Sequence, residues 1–453
     1  MEREGNFTQG PIFKPLVKFT LPILLAACLQ AMYGAVDLAV VGWFGTAADV
    51  SAVSTGSQIM QTVTMVVASL SVGTTILLGQ RIGQGRRDEA GDVIGGAVCL
   101  FAVIAAVMTA VMMGVASPFA AAMHAPAAAF NRTVSYVRIC SAGSVFIVAY
   151  NVLGGVFRGM GDSKTPLITV AIACVCNIAG DLLLVAGFHM AAAGAALATV
   201  FAQAVSVVLS FFLIRRKGMP FAFGRENVRF HGAIIRETVR LGLPISFQDA
   251  LVSISFLVIL AIVNSLGVIA SAGVGVAEKL CSFIMLVPSS HMQSLSAFSA
   301  QNTGAGRDDR ARKSMLYGML TSFACGVVLA WLAFFHGDVL AGIFGRGNKA
   351  VIAAAWDYLK AYAVDTMLVA FLFCFVGYFN GLGKTRFVMV QGLIGAFGVR
   401  IPVSLWMSRQ TPVSLFHVGL ATPCSTAVQI ALCVFYFFWI HQKKFQKDGN
   451  LSH

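Results

Sequence analysis

The sequence predicts an all-α polytopic membrane protein with twelve transmembrane helices in two six-helix lobes related by pseudo-two-fold symmetry. Composition is the first observation. Of 453 residues, 58% are apolar before the 45 glycines are counted, and only 11% are charged, against about 45–50% and about 25% in soluble domains. Fifty-one charged side chains cannot clothe the surface of a soluble chain this long, which excludes a soluble enzyme. The second observation is the distribution of the apolar residues, which fall into twelve runs, each able to cross about 30 Å of hydrocarbon. The third is an internal repeat, which divides the twelve into two sets of six.

Reading limits from charges, glycines and prolines, the runs are 16–43, 51–79, 91–116, 131–157, 165–187 and 190–214 in the first half. In the second half they are 241–265, 271–300, 313–336, 350–380, 387–407 and 413–441. All are too long and too uniformly apolar for barrel strands, which alternate over about ten residues. Most of the 32 Lys and Arg residues lie in the termini and in the loops after even-numbered spans, among them Arg81, Arg86, Arg87, Arg215, Arg216, Lys217, Arg307 and Lys384. The positive-inside rule then places both termini in the cytoplasm and reads the net charge of +13 as a topology signal, so no nucleic-acid partner is expected. The ten cysteines sit within apolar runs without a CxxC pair and read as small packing residues. Leu25-Ala26-Ala27-Cys28 has the order of a lipoprotein cleavage box, but cleavage there would cut the first helix in two.

At an offset of 222 residues, Leu21-Pro22 aligns with Leu243-Pro244, and Phe157, Gly159 and Gly161 align with Phe379, Gly381 and Gly383. At an offset of 221, GQRIGQGRRDEA from Gly79 matches AQNTGAGRDDRA from Ala300. Six spans per half is an even number, so the halves share one orientation and are related by an axis along the membrane normal. The expected organisation is an N-terminal lobe over 1–214, a basic cytoplasmic linker over 215–240 and a C-terminal lobe over 241–453. Two like-oriented bundles are the architecture of alternating access, which points to a transporter. Pro22 and Pro244, near the start of each half's first helix, are candidate bends because each lacks a backbone donor.

The energy source follows by elimination. GLGKT at 381–385 is the nearest approach to a phosphate-binding loop, but Tyr378 stands where its first glycine is required and the segment follows a helix. No cofactor is expected, and uphill transport would draw on an ion gradient. Ionisable residues within spans are functional candidates because burying them costs several kcal/mol. In the first half these are Asp37 and Asp181, each about 9 Å from the outer end of its helix, with Thr199 at about 12 Å. Gln30, Tyr33 and Asp37 share one face of the first helix, Asn177 and Asp181 share one face of the fifth, and Asn151 on the fourth could join them. Two carboxylates among amide and hydroxyl oxygens suit Na⁺ as a hard-oxygen cage, or H⁺ as a like-charge pair. In the second half, Gln248, Asp249, Glu278, Lys279, Lys360, Asp365 and Arg400 form either a substrate-facing set or a structural ion network. His291 reads as a satisfied packing histidine.

Taken together, the two loop motifs, FRGMGDSKTP at 157–166 and VDLAVVGWFG at 36–45 after Gln30, resemble the multidrug and toxic compound extrusion (MATE) family of secondary transporters over nearly the whole chain. The resemblance implies export of organic, often cationic and amphipathic small molecules in exchange for H⁺, the preferred ion, or Na⁺. In the prokaryotic branch with a cation site in its N-terminal lobe, the motif positions fall on Gln30, Tyr33, Asp37, Asn151, Asn177, Asp181 and Thr199. The acids of the sodium-coupled branch on helices seven and ten do not line up with Asp249 or Asp365, which argues against a second cation site. The expectation is a monomeric antiporter of the bacterial inner membrane, not an enzyme, with substrate held in a cavity between the lobes. The rival reading is a lipid-linked oligosaccharide flippase of similar fold, which would favour an arginine-rich cavity; the spans offer only Lys279, Lys360 and Arg400.

Overall fold

Long apolar helices are what hydrocarbon permits, because each satisfies its own backbone hydrogen bonds. In the computed structural model, which describes residues 7–219, 221, 223–344 and 348–449, twelve spans follow in order. They are α1 (Phe13–Phe44), α2 (Ala47–Gly83), α3 (Arg87–Ala122), α4 (Ala127–Ala142 with Ser144–Met160), α5 (Lys164–Gly187) and α6 (Ala191–Lys217). The second six are α7 (Gly232–Asn264), α8 (Val268–Gly304), α9 (Asp308–Phe335), α10 (Lys349–Gly381), α11 (Thr385–Ser408) and α12 (Leu415–Gln442). A short helix, Gly337–Phe344, lies between α9 and α10. Each expected run falls on its own helix, and no strand occurs among the described residues.

The chain divides into two compact units. The first comprises Met1–Ser246, Ala297–Arg310 and Gly381–Gly383; the second comprises Phe247–Ser296, Ala311–Asn380 and Lys384–His453. On the sixth helix the usual distribution of side-chain size is inverted. On α6 the buried positions are Ala192, Gly194, Ala195, Ala196, Ala198, Ala202, Ser206, Val207 and Ser210, while Phe201, Val208, Phe211 and Phe212 point outward. Hydrocarbon does not penalise an exposed phenylalanine, so packing is decided by how closely small residues let backbones approach.

Three local features depart from plain helix. α1 and α7 run on as helix through Pro22 and Pro244, whereas α4 bends by 55° where its two parts meet at Gly143. A side chain at Gly143 would collide with Val200 of α6, so close helix contact fixes the bend. α5 ends in a π-helical segment, Leu182–Gly187, directly after Asp181, and α11 contains another, Ile394–Arg400, that ends on Arg400. Segments of this kind are frequent at functional sites. α1 is also unbroken at Cys28, and all ten cysteines are free thiols.

The repeated loops fold alike. Gly85 and Gly306 adopt φ of 74° and 69°, and Gly161 and Gly383 adopt 81° and 71°, the left-handed region where a Cβ is strained. Each turns the chain so that the next amide bonds back to a helix carbonyl: Arg86 to Arg81 at 3.0 Å, Arg307 to Asn302 at 2.8 Å, Asp162 to Phe157 at 2.9 Å and Lys384 to Phe379 at 2.8 Å. Residues 381–385 are therefore a helix-terminating turn. Within the first unit the repeat is also reciprocal. Gln80 donates to the Gly381 carbonyl at 3.0 Å, and its repeat partner Gln301 donates to the Gly159 carbonyl at 3.0 Å. Gly83 and Gly304 make this possible, since a Cβ on Gly83 would overlap the Gln301 carbonyl and one on Gly304 would overlap the Gln80 carbonyl.

The N-terminal segment is anchored to the same place. Phe7 stacks on Phe298 with ring centroids 4.6 Å apart, and Arg310 donates to the carbonyls of Phe7, Gln9 and Gly10. The basic stretch before α7 docks on α3, where Asn227 donates to Asp92 at 2.8 Å and Gly95 leaves room for the Asn227 carbonyl. Overpacking a close backbone crossing costs about 1–3 kcal/mol. Gly83→Ala and Gly304→Ala should accordingly each lower the thermal unfolding temperature of the detergent-solubilised protein. Gly114→Ala, at a position with open space around it, should leave that temperature unchanged or raise it.

Candidate functional site

Four residues from three helices meet in the first unit. Asp37 on α1 is 4% exposed, and Asn177 and Asp181 on α5 are fully buried. Thr199 on α6 donates to Asp37 Oδ2 at 3.2 Å, and the Asp181 and Asn177 side chains abut the Asp37 carboxyl. The helix period explains the grouping: Asn177 and Asp181 are one turn apart and face α1 together.

Polar atoms at this junction outnumber their bonds. Asp37 Oδ1, both Asp181 oxygens and both polar atoms of the Asn177 amide are buried without a hydrogen-bond partner. A buried polar group left unpaired costs about 1–3 kcal/mol, and an unpaired charge more. One small cation would satisfy several of these oxygens at once. A proton would do so by joining the two carboxyls, and Na⁺ would do so by collecting carboxylate, amide and hydroxyl oxygens.

The other candidates of the first half form a stripe leading along α1 towards this junction. Gln30 donates to the Tyr150 hydroxyl at 2.6 Å, and Gln203 stands beside the Tyr33 hydroxyl. Asn151 turns its amide back onto the Ile147 carbonyl of its own helix at 2.8 Å, so that bond does not tie it to the acids. Tyr150 and Gln203 were not singled out from the sequence. Gln203 was visible as an amide within an apolar run, whereas a membrane tyrosine carries no signal that separates it from packing.

The second unit encloses a cavity of about 540 Å³. Of the candidates there, Gln248, Asp249, Glu278 and Asp365 line it, joined by Arg400. Asp365 Oδ1 accepts from Thr426 at 2.6 Å. Lys279 points elsewhere, its Nζ 5.8 Å from the Phe344 ring, and Lys360 lies 4.3 Å from the Trp356 ring. The turn of about 100° between neighbouring helix residues separates Glu278 from Lys279. His291 is bonded at both ring nitrogens, to the Val287 carbonyl and the Thr321 hydroxyl. Tyr358, Tyr362, Gln391, Thr422, Thr426 and Gln429 add to the polar lining. Gln391 and Gln429 are amides within apolar runs, a signal that could have found them; the threonines and tyrosines carry none.

The fold and the polar junction together invite comparison with known transporters. A model of the MatE family matches residues 22–183 and again 244–406. The chain belongs to the MatE family. The two matches begin 222 residues apart, at Pro22 and Pro244, which is the offset of the internal repeat. This MatE chain is 27% identical over 419 residues to the probable multidrug resistance protein YpnP of Bacillus subtilis, covering 92% of this chain and 91% of YpnP. It is 21% identical over 415 residues to the multidrug export protein MepA of Staphylococcus aureus, covering 89% of this chain and 88% of MepA. Among solved structures, MATE in the bent conformation superposes with a TM-score of 0.90 at 18% identity, covering all of both chains. The protein is thus a multi-pass membrane protein of a multidrug efflux transporter family.

A ligand bound only by the folded state at about 100 times its dissociation constant adds about 2.7 kcal/mol of stability. Thermal unfolding in detergent should therefore shift upward with Na⁺ or with falling pH, whichever cation the junction takes. Asp37→Asn and Asp181→Asn should each abolish that shift, and Thr199→Val should move it to higher cation concentration.

Proposed function

We propose that this MatE protein is an electrochemical antiporter, which exports organic, often cationic and amphipathic compounds in exchange for H⁺, the preferred ion, or Na⁺. One observation carries the reading: the Asp37 and Asp181 carboxyls are buried against each other, with Asn177 and Thr199 beside them and several of their oxygens short of donors. A structural network would close on itself, whereas a site that loads and unloads a cation must leave acceptors open. The names of YpnP and MepA support the substrate side, being those of a probable multidrug resistance protein and a multidrug export protein.

In this reading Asp37 and Asp181 bind the driving cation, with Asn177, Thr199 and Asn151 completing the site. Gln30 and Tyr33 support it from the approach. Cation entry from outside draws α1, α5 and α6 together and lowers the affinity for substrate; cation loss to the cytoplasm restores it. The lobes over 1–214 and 241–453, joined by 215–240, would alternate access as bodies, with Pro22 and Pro244 available as bending points. One unit charge moving through 100 mV supplies about 2.3 kcal/mol, enough for roughly a 50-fold gradient of a neutral substrate. The protein would act as a monomer and a transporter, not an enzyme, in a bacterial inner membrane with both termini cytoplasmic, as the basic loops indicate.

The test is dye-cation efflux from proteoliposomes under separately imposed pH and Na⁺ gradients. One gradient should drive transport in the native protein, and Asp37→Asn should lose it while inserting normally. Gradient-driven transport retained by that variant would overturn the assignment of the coupling site.

A further inference from the structure

The first unit carries a cavity of about 500 Å³ that none of the coupling residues lines. It lies where the α1–α2 turn, the start of α4 and the α5–α6 turn come together. Its position follows from the helix period. Phe44 is seven residues after Asp37 on α1, Val185 is four after Asp181 on α5, and Ala192 is seven before Thr199 on α6. Separations of four and seven return side chains to one helix face, so the three helices that build the junction present the same faces to the cavity. At about 1.5 Å per residue, Phe44 and Ala192 stand about 10 Å along their helices from Asp37 and Thr199, and Val185 is about one turn from Asp181. On α4, Ser135 lines the cavity, and the next residue, Tyr136, is buried within reach of the Asp37 charge.

The cavity wall holds a charge pair whose two members differ in freedom. Asp49, at the start of α2, is 2% exposed, and its Oδ2 accepts from the Thr46 amide at 2.9 Å and the Thr46 hydroxyl at 2.6 Å. Its Oδ1 faces Arg132 Nη1 at 2.7 Å, and that nitrogen also donates to the Thr46 hydroxyl at 2.7 Å. The carboxylate is fixed by its helix cap, whereas the Arg132 side chain is 46% exposed and can swing out. Once it does, a buried negative charge is left on the wall without its partner. A small cation is what would take the place of the guanidinium. The opposite wall is a turn in which His189 and Ala191 adopt φ of 54° and 48°, a left-handed backbone without glycine of the kind that clusters at switch regions. Within it the Met190 amide bonds back to the Leu184 carbonyl at 2.9 Å, which ties the turn to the π-helical segment beside Asp181.

We propose that this cavity is the port through which the coupling cation, H⁺ or Na⁺, reaches the junction, and that Asp49 and Arg132 form its latch. With the latch closed, Arg132 neutralises Asp49 and nothing on the wall draws a cation in. With it open, the Asp49 carboxylate and the Thr46 hydroxyl hold the cation at the mouth. The remaining barrier is the floor, where Val185 and Ala192 are 1% and 2% exposed, and the turn at His189 and Ala191 is the part of the wall able to move it. The proposal rests on the coupling role proposed for Asp37 and Asp181.

The test is the initial rate of dye-cation transport in proteoliposomes at subsaturating coupling cation, with pH and Na⁺ gradients imposed separately. Arg132→Gln should raise the rate and Asp49→Asn should lower it, each by about threefold or more, and added salt should shrink both effects. A purely structural ion pair would instead make the two variants fail alike. Ala193→Trp and Ser135→Trp fill the cavity from different walls at positions that are not buried. Each should remove most of the gradient-driven rate while the cation concentration at the midpoint of the thermal shift in detergent stays native, because equilibrium occupancy of the junction does not depend on how fast it is reached. Rate changes of one sign in Arg132→Gln and Asp49→Asn, or a native rate in either folded tryptophan variant, would overturn the proposal. The charge pair decides the matter even if neither tryptophan variant folds. Asp37→Asn keeps the two readings apart: if it loses transport while the latch and tryptophan variants run at the native rate, the port alone is overturned, whereas gradient-driven transport retained by Asp37→Asn overturns coupling site and port together.

Discussion

The constraint on which the rest of the structure depends is that hydrocarbon offers no hydrogen bond. Every polar group within a span must find a partner in the protein or remain unsatisfied at a cost of several kcal/mol. Apolar side chains are meanwhile free to face outward, as Phe211 and Phe212 do on α6, while Ala195, Ala198 and Ser206 face in. Small inward residues bring helices close enough for short polar side chains to meet. The contact between Thr199 and Asp37 depends on this, because a bulky inner face on α6 would hold the two helices apart. The junction of Asp37, Asn177, Asp181 and Thr199 is thus a consequence of the packing rule.

The repeat shows which features the two halves kept and where they diverged. Both retained the glycine-terminated turns, and both retained a glutamine that reaches the other half's turn, Gln80 to Gly381 and Gln301 to Gly159. Those bonds need the backbones of α2 and α8 almost in contact, a distance that only glycine at 83 and 304 allows. Inside the spans the halves became chemically different. The first gathers two acids with an amide and a hydroxyl, and the second encloses three acids and an arginine in an open cavity. In each, the charged residue of the fifth helix of the half borders a π-helical segment, Asp181 before one and Arg400 at the end of the other.

Much of this was legible in the chain itself. Apolar run length decided the twelve helices, because an α-helix must rise about 1.5 Å per residue across a fixed thickness of hydrocarbon. The family match recovered the same repeat that the paired motifs had shown. Asp37, Asn177, Asp181 and Thr199 could be grouped in advance because depth along a helix and the 3.6-residue period are both functions of residue number alone. Asn151 bonds through its amide to the Ile147 carbonyl of its own helix, a rotamer choice that no spacing encodes.

The sequence by itself determined the order of the helices and the duplication, since both follow from local hydropathy and paired motifs. Only the tertiary structure decided which charges have partners. Glu278 and Lys279 are neighbours in sequence, yet only Glu278 lines the cavity. Arg400 donates to Ser255 and lies against the Phe256 ring, and Asp365 is the acid whose charge acts on it most. The bend in α4 arose at Gly143 against Val200, not at a proline. Pairing and bending depend on what a neighbouring helix presents at a given level, and that is a property of two helices packed together, which the pattern of neither one contains.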